Sequence, residues 1–252
     1  MNIESYGLTH PGAVRPSNED RILVDTDLGL YLICDGMGGH QRGEVAAELA
    51  IAAIRHYIDS SRDPVDVTWP FGYNLKMSVN ANRLLTAIRL ANRQIWHKAE
   101  LELESAGMGT TVAAILAGTG AVTLANVGDS RIYRLRLGVM EQISVDDTMV
   151  NAMLSTGVIS PDDAPAHPMR NLLTQAAGSQ ETIEVHLRDE ALGPGDIWML
   201  CSDGLTGMVD EGFISSVLQS GANLEECGKR LLDAALGGRA SDNVSILLLR
   251  PA

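Results

Sequence analysis

Apolar residues follow two patterns along the chain: short continuous runs, and longer segments in which they recur every three or four positions. The short runs predict buried strands. After a first strand near the start of the chain, they comprise Leu30–Cys34 and residues 21–25, 110–116, 121–127, 131–137, 139–144, 182–187, 196–201 and 244–249. The longer segments predict amphipathic helices at about 44–60, 80–105, 148–154, 210–219 and 224–236. Because strands and helices alternate without a strict βαβ repeat, we expect packed antiparallel sheets with helices outside them.

Four of these strands have an aspartate at one end. Asp35 follows Leu30–Cys34, and glycines at positions 36, 38 and 39 leave the backbone beside it open to close approach. Asp203 and Asp129 also follow apolar runs, whereas Asp242 precedes the last one. If the strands share one sandwich or sheet, the carboxylates gather in a small volume, where they all stay ionised only if cations neutralise them. The pattern therefore predicts a metal site, and its oxygen ligands favour Mg²⁺ or Mn²⁺.

The composition narrows the class of protein. A length of 252 residues suffices for one large domain or two small ones. The formal net charge of −13 disfavours nucleic acid as a main partner, and an acidic protein that acts on phosphates needs bound cations to reverse the local charge. Apolar runs shorter than the ~20 residues of a membrane span, and a start without signal-peptide character, predict a cytoplasmic protein with no membrane partner. Three cysteines without a CxxC spacing disfavour a disulfide framework.

Two segments interrupt the regular pattern. Residues 61–78 contain two prolines and three aromatic residues, Trp69, Phe71 and Tyr73, and predict a structured surface insertion. Its aromatic side chains either form a docking patch or fold back to cover the helices. Residues 147–178 form a second unit, in which a short helix precedes a loop rich in proline and aspartate.

Several other chemistries lack their motifs. No GxxxxGK[ST] loop is present, and Gln41 stands where a dinucleotide fingerprint that starts at Gly36 needs its third glycine. Ile132 replaces the last glycine of a nucleophile elbow around Ser130. Six scattered histidines without an HExxH motif also disfavour a zinc protease.

The acidic residues belong to six motifs that stand in order along the chain. They are Arg15-x-x-Asn18-Glu19-Asp20, Asp35-Gly36-Met37-Gly38-Gly39, Gly109-Thr110-Thr111, Gly128-Asp129-Ser130-Arg131, Ser202-Asp203-Gly204 and Asp242-Asn243. As an ordered set they resemble the protein phosphatase 2C family, the metal-dependent Ser/Thr phosphatases, in its bacterial form. The resemblance runs from about Tyr6 to Leu249, nearly the whole chain.

The resemblance implies one phosphatase domain over residues 1–252, of class α+β, built as a four-layer α/β/β/α sandwich of two antiparallel sheets flanked by helices. Residues 147–178 correspond to a mobile flap beside the site. The cofactors implied are two Mn²⁺ or Mg²⁺ ions, with a third, weaker site. Asp35 would bridge the two ions, and Asp129 would contact the third. The full set of implied metal ligands is Glu19, Asp20, Asp35, Gly36 through its carbonyl, Asp129, Asp203 and Asp242.

The candidate catalytic residues are Asp35, Arg15 and His40. By resemblance, a water whose pKa is lowered by two cations ~4 Å apart attacks phosphorus directly, without a phosphoenzyme. Arg15 matches the arginine that holds the phosphate, because its planar fork fits two phosphate oxygens. Met37 stands where many eukaryotic members carry a candidate histidine acid, so His40 or water is left to protonate the leaving oxygen. His40 is otherwise a residue of the helix start.

The function implied is hydrolysis of phosphoserine and phosphothreonine in proteins by a monomeric enzyme. Its partners would be phosphorylated proteins and a cognate Ser/Thr kinase. The alternative is a catalytically silent phosphoprotein-binding module of the same fold, whose sequence signature, loss of ligand acids, is not found here. A general phosphomonoesterase for small molecules is a third hypothesis.

Overall fold

The computed structural model describes residues 3–38, 42–63 and 67–251. Within these ranges the chain forms twelve strands: β1 Ile3–His10, β2 Arg21–Asp25, β3 Leu30–Cys34, β4 Gly36–Met37, β5 Gly109–Thr110, β6 Val112–Ala117, β7 Ala121–Val127, β8 Arg131–Arg136, β9 Val139–Gln142, β10 His186–Ala191, β11 Ile197–Cys201 and β12 Val244–Pro251. The same ranges contain six α-helices: α1 Arg42–Ser60, α2 Val79–Leu101, α3 Met149–Ser155, α4 Asp203–Thr206, α5 Glu211–Leu218 and α6 Leu224–Gly237.

Two five-stranded antiparallel sheets carry the fold. The strand order is β1-β12-β11-β8-β9 in the first sheet and β10-β7-β6-β3-β2 in the second. Strands β4 and β5 pair separately as a small ribbon directly after β3. Helices α1 and α2 pack on the outer face of the second sheet, and α5 and α6 on that of the first.

The central strands are buried on both faces because their residues alternate between two cores. In β3, Tyr31 and Ile33 pack into the cluster between the sheets, whereas Leu30, Leu32 and Cys34 pack under the helices. Strand β11 alternates in the same way between the intersheet cluster and its own helices. A period of two thus turns a continuous apolar run into two buried faces. The four-layer α/β/β/α sandwich implied by the motifs is confirmed.

One strand lies elsewhere than the apolar pattern predicts. The pattern indicates a strand at residues 182–187, but β10 begins only at His186, which pairs with Asn126 of β7. The backbone of Glu184 is already bonded to the side chain of Gln175, which accepts from its N–H (3.0 Å) and donates to its carbonyl (2.9 Å). A side chain therefore takes the place of a neighbouring strand, and Ile183 is buried in the helix-side core instead.

The long helix also ends earlier than its predicted limit at residue 105. Glu102 leaves the helical conformation, with φ −116° and ψ 107°, and residues Leu103–Ser105 form a short 3₁₀ turn. The apolar stripe has stopped by then, since Leu101 and Leu103 are both more than 80% exposed. None of the described helices has the length and apolar content that crossing a membrane requires.

The surface insertion folds back onto the helices. The ring of Trp69 lies edge-on to Tyr57 of α1 (6.5 Å between centroids) and to Tyr73 (4.9 Å). The Tyr57 hydroxyl donates a hydrogen bond to the carbonyl of Thr68 (2.8 Å). Trp69 and Tyr73 thus cover the helices, whereas Phe71 lies over the side chains of α2.

Candidate active site

The topology brings the ends of four strands to one edge of the sandwich. Cys201 pairs with Ile246, so the end of β11 lies beside the start of β12. In the other sheet, β6 runs antiparallel to both β3 and β7, so these two strands end on the same side. Each of the four ends carries one predicted aspartate: Asp35 after β3, Asp129 after β7, Asp203 after β11 and Asp242 before β12.

Asp20, the residue before β2, is fully buried. Its Oδ2 accepts hydrogen bonds from the hydroxyls of Ser202 (2.9 Å) and Ser245 (2.6 Å). Burial raises the pKa of Asp20 to about 6, although both hydroxyls favour the ionised form. Its Oδ1 is buried without a hydrogen-bond partner among the described residues, which leaves an oxygen available to a ligand.

Asp35 is the residue at which the acids meet. Burial is the main cause that holds the pKa of Asp35 well above its usual range, and four other acids raise it further. These acids are Asp20, Asp203, Asp129 and Asp242. The side-chain interaction with Asp35 in turn lowers the pKa of Asp20 and of Asp203, which partly offsets the effect of burial on them. The predicted ligands from both sheets therefore share one electrostatic environment.

Asp203 and Asp129 complete the cluster. Burial raises the pKa of Asp203, and the charge of Asp242 raises it further. Its buried Oδ1 also lacks a hydrogen-bond partner in the described part of the chain. Burial, followed by the charges of Asp203 and Asp146, raises the pKa of Asp129 to about 7. Carboxylates this close and this poorly hydrated favour protonation unless a cation binds them.

Glu19 and the carbonyl of Gly36 meet at the first turn of α1. A Cβ added to Gly43 would lie 2.5 Å from the Gly36 oxygen and 2.6 Å from Glu19 Oε2. A Cβ on Gly36 itself would lie 2.1 Å from the Gly43 oxygen. The site therefore requires a residue without a side chain at both positions, and two more predicted ligand oxygens lie side by side. Sequence reasoning did not single out Gly43.

Arg15 is tied to the same edge through Asp242. Its guanidinium donates a 2.7 Å hydrogen bond to Asp242 Oδ2, and this contact raises the pKa of Arg15. The Arg15 side chain is still 53% exposed, so several of its five N–H groups remain open to a ligand.

Asn243 fixes the loop that carries Arg15. Its Oδ1 accepts a hydrogen bond from the Glu19 N–H (2.8 Å), and its Nδ2 donates to the carbonyls of Pro11 (3.0 Å) and Ser17 (2.9 Å). One amide thus holds both ends of the loop. The Asp242-Asn243 motif contained this residue, but sequence reasoning gave it no role.

The threonine motif holds the backbone of Asp35. The Asp35 N–H donates to Thr111 Oγ1 (2.9 Å), and its carbonyl accepts from the Thr111 N–H (2.8 Å) and the Thr110 hydroxyl (2.9 Å). The Thr111 and Ser130 hydroxyls share a further bond of 2.7 Å. Because Ser130 follows Asp129, these contacts connect two of the strand ends.

A cleft of about 900 Å³ opens beside the carboxylates. Asp129, Asp203 and Asp242 contribute to its lining, and so do Asn151 and Arg170 from the predicted flap segment. Its volume lies within the ~300–1,000 Å³ typical of ligand pockets. The cleft therefore offers a substrate access to the acidic edge.

Asp147 anchors the 147–178 segment beside the site, a role that sequence reasoning missed. Its carboxylate accepts hydrogen bonds from the Gly128 N–H (2.8 Å) and from Gln175 Nε2 (2.9 Å), and it pairs with His186 Nε2 (2.7 Å). The Asp147 carbonyl also accepts from the N–H of Thr174 (2.8 Å). Asp147 thus joins the two ends of the segment, and it also binds Gly128, the residue directly before Asp129.

His40, the predicted proton donor, lies outside the described residues. Among residues 3–38, 42–63 and 67–251, no three Asp, Glu, His or Cys side chains already stand as a complete metal cage. The predicted acids that the structure describes nevertheless share one edge of the sandwich.

The chain is similar to known proteins over nearly its whole length. The sequence profile of the family described as Protein phosphatase 2C matches residues 14–237. The Serine/threonine protein phosphatase PstP of Mycobacterium tuberculosis is 38% identical over 237 residues, which make up 94% of this chain and 43% of that protein. The chain therefore spans less than half the length of this relative.

Two further comparisons cover more than nine-tenths of both chains. The Serine/threonine phosphatase stp of Listeria innocua is 34% identical over 244 residues, 96% of this chain and 93% of that one. A crystal structure of the catalytic domain of PstP in complex with two manganese ions has a TM-score of 0.82 at 34% identity. That comparison covers 98% of this chain and 97% of the other.

Proposed function

The chain belongs to the protein phosphatase 2C family of serine/threonine protein phosphatases, in its bacterial form, and from this premise we propose that it hydrolyses phosphoserine and phosphothreonine in proteins. The observation that carries the proposal is the group of acids around Asp35, of which Asp20 is buried and the others are half-buried, beside a cleft open to substrate. Every acidic position of the family motifs holds an acid in this chain.

We propose that two divalent cations, Mn²⁺ or Mg²⁺, bind at this edge. The unpartnered buried oxygens of Asp20 and Asp203 support the fit, as do the adjacent oxygens of Glu19 and Gly36, because an all-oxygen set suits hard cations. Asp35 would bridge the two ions. Asp242 would complete the set, and Asp129 would hold a third, weaker ion. When bound, the pair supplies Lewis acidity, which lowers the pKa of a water and offsets the charge of the phosphate oxygens.

Arg15 would hold the phosphate of the substrate. Its guanidinium has N–H groups on more than one edge, so it can keep its bond to Asp242 and still present a fork to two phosphate oxygens. Asp242 in this proposal also orients Arg15, and Asn243 fixes the loop on which it stands.

The leaving serine or threonine oxygen needs a proton, which in this proposal comes from His40 or from water. A His40→Gln variant distinguishes the two sources. If His40 is the acid, kcat falls for a phosphoserine peptide but much less for p-nitrophenyl phosphate, whose leaving group needs no proton. An unchanged kcat with both substrates would assign the proton to water, and an equal fall with both would exclude His40 as the acid.

Turnover of a phosphothreonine peptide tests the proposed function. We expect hydrolysis with Mn²⁺, its loss with EDTA, and its return when Mn²⁺ is added in excess. Hydrolysis that persists in EDTA, or none with Mn²⁺ in a folded protein, would contradict the proposal. Saturable peptide binding without turnover would instead support a silent binding module, and preference for small phosphate esters over phosphoproteins would support a general phosphomonoesterase.

The biological setting follows from the same proposal. Phosphorylated proteins would be the substrates, and a Ser/Thr kinase would produce them. A single phosphatase domain with a flap at 147–178, a monomeric state and a cytoplasmic location stay predictions.

A further inference from the structure

A second cavity lies between α2 and two neighbouring segments, apart from the acidic edge. Its volume is about 380 Å³. Phe71 of the insertion forms one wall, residues 181–183 form another, and Arg89, Arg93, Trp96 and His97 of α2 form the floor. The lining thus combines aromatic and basic side chains in a chain whose net charge is −13.

The two arginines of this pocket lie close to the ring of Phe71. Their guanidinium carbons lie 5.9 Å (Arg89) and 5.5 Å (Arg93) from the centroid of the Phe71 ring. In the described part of the chain, neither arginine forms an ion pair with a carboxylate. Because they stand one helical turn apart, they present two positive charges to the same cavity.

The wall formed by residues 181–183 is fixed in place by a buried amide. Asn92 Nδ2 donates hydrogen bonds to the carbonyls of Gln180 (3.1 Å) and Glu181 (3.0 Å), and its Oδ1 accepts from the Gly178 N–H (2.7 Å). The Asn92 side chain is 2% exposed. The pocket therefore has a preformed shape, which lowers the entropy that a ligand loses on binding.

The same stretch of chain connects this pocket with the acidic edge. Gln175 bonds to Asp147 at the base of the 147–178 segment, and Ala177 exchanges two backbone hydrogen bonds with Thr110, whose hydroxyl holds the Asp35 carbonyl. The segment 175–183 therefore contributes both to the pocket and to the hydrogen bonds that hold the acidic edge.

We propose that the pocket binds an acidic segment of the phosphoprotein substrate, with one bulky apolar side chain inserted between Phe71 and Trp96. Flanking carboxylates would pair with Arg89 and Arg93. Charge complementarity selects this occupant, because a strongly acidic protein repels acidic chains except where unpaired cations face solvent. That the segment belongs to a substrate rests on the proposed function, whereas the binding itself does not.

Glu181 allows a charge change whose expected effect on affinity is opposite to that of the arginine substitutions. Among the described residues that line the pocket it is the acidic one, so its charge repels an acidic ligand. Glu181→Gln should therefore tighten binding, whereas Arg93→Glu should weaken it. A pocket without electrostatic selection would respond to neither change.

Fluorescence polarisation with a labelled, unphosphorylated peptide, in which glutamates flank one phenylalanine, tests the binding. We expect saturable binding to the full chain, at least about tenfold weaker for Arg93→Glu and for Phe71→Ala, and about twofold or more tighter for Glu181→Gln. Arg230→Glu, the same charge change on the exposed face of α6, is the matched control and should leave the affinity unchanged.

Several results would overturn the proposal: equal weakening by Arg93→Glu and Arg230→Glu, equal binding of a peptide with lysines in place of the glutamates, or displacement of the probe by anionic vesicles or inorganic phosphate more readily than by unlabelled peptide. A kinetic arm separates this failure from that of the proposed function. Arg93→Glu should raise KM for a phosphopeptide fused to the acidic segment and leave KM for the short phosphopeptide unchanged. Loss of turnover with both would concern the catalytic proposal alone.

Discussion

We expect Asp35 to have opposite effects on stability and on the proposed function. Its charge is repelled by the other acids in the metal-free fold, yet it would bridge the two cations. In Asp35→Asn we therefore expect the Tm without metal to be equal to or above that of the native chain, because repulsion is relieved. Turnover should fall at least about a hundredfold, because loss of a residue that only orients a metal ligand already costs up to about that much, and Asp35 is proposed to bind the metal itself.

Thermal unfolding and phosphopeptide turnover, each with EDTA and with Mn²⁺, measure both effects. Asp233→Asn, on the exposed face of α6, is the control and should change neither. A variant that loses several degrees of Tm in EDTA would contradict the placement of Asp35 among like charges.

Arg15 is expected to act on substrate affinity. Arg15→Ala removes a charge-assisted hydrogen bond to phosphate, of about 1.5–3 kcal/mol, so KM for a phosphopeptide should rise roughly tenfold or more while kcat changes less. Arg15→Lys keeps the charge without the planar fork and should recover only part of the loss. Steady-state kinetics at saturating Mn²⁺ distinguish these cases. An unchanged KM in Arg15→Ala would contradict the proposal that Arg15 binds the phosphate of the substrate.

The pH dependence of the metal-free protein follows from the raised pKa values. Asp20 and Asp129 have pKa values of about 6 and about 7 in the fold, above the ordinary value of about 4 in the unfolded chain. The folded state therefore binds more protons than the unfolded chain in this pH range. The contribution of these two acids to the unfolding free energy is full below about pH 4 and is lost as the pH rises through 6 to 7.

Urea unfolding in EDTA should accordingly give a lower unfolding free energy at about pH 8 than at about pH 5, with a smaller difference in saturating Mn²⁺, because cations replace the protons. An unfolding free energy in EDTA that rises from pH 5 to pH 8 would contradict the raised pKa values of Asp20 and Asp129.

Sequence reasoning identified the acids but not what holds them. An aspartate that ends an apolar run is visible in the sequence, because the strand and the break in polarity are both local. The partners of Asn243 and Asp147 are backbone groups far away along the chain, which only the tertiary structure selects. The need for glycine at position 43 arises in the same way, from the close approach of Gly36.

At the scale of elements, the segment 147–178 depends on the carboxylate of Asp147. Asp147→Ala removes three hydrogen bonds and leaves the buried Gly128 N–H without a partner, a loss of about 1–3 kcal/mol. We expect faster hydrogen exchange in residues 147–178 and reduced turnover, because Gly128 precedes Asp129. Asp162→Ala, in an exposed part of the same segment, is the control, and equal exchange in both variants would show that Asp147 is not the anchor.

The elements themselves differ in how far they can be predicted. Strands β2, β3 and β7 have the predicted bounds, because alternate residues of each short apolar run pack into the helix-side core and the intersheet core. The strand predicted at 182–187 begins four residues later, at His186, because the apolar alternation before it serves the helix-side core, while the Gln175 side chain replaces the ladder partner at Glu184. The periodicity of apolar residues indicates which side chains are buried. It does not indicate which groups form hydrogen bonds with the backbone.

At the scale of the whole molecule, the order of the motifs predicted the sandwich and the shared edge. The separate strand ends indicated a cluster only on the condition that the strands pack together, and the resemblance supplied that condition. The pocket under Phe71 could not be found in this way, because its arginines on α2 and its wall at 181–183 are brought together by packing alone.

The central claim is that Asp35 and its neighbours hold a pair of divalent cations at one edge of the sandwich. Electron paramagnetic resonance of the chain loaded with two equivalents of Mn²⁺ tests it most directly. The account predicts the spectrum of an exchange-coupled pair, absent from Asp35→Asn. The well-resolved hyperfine spectrum of isolated, non-interacting ions in the native chain would contradict it.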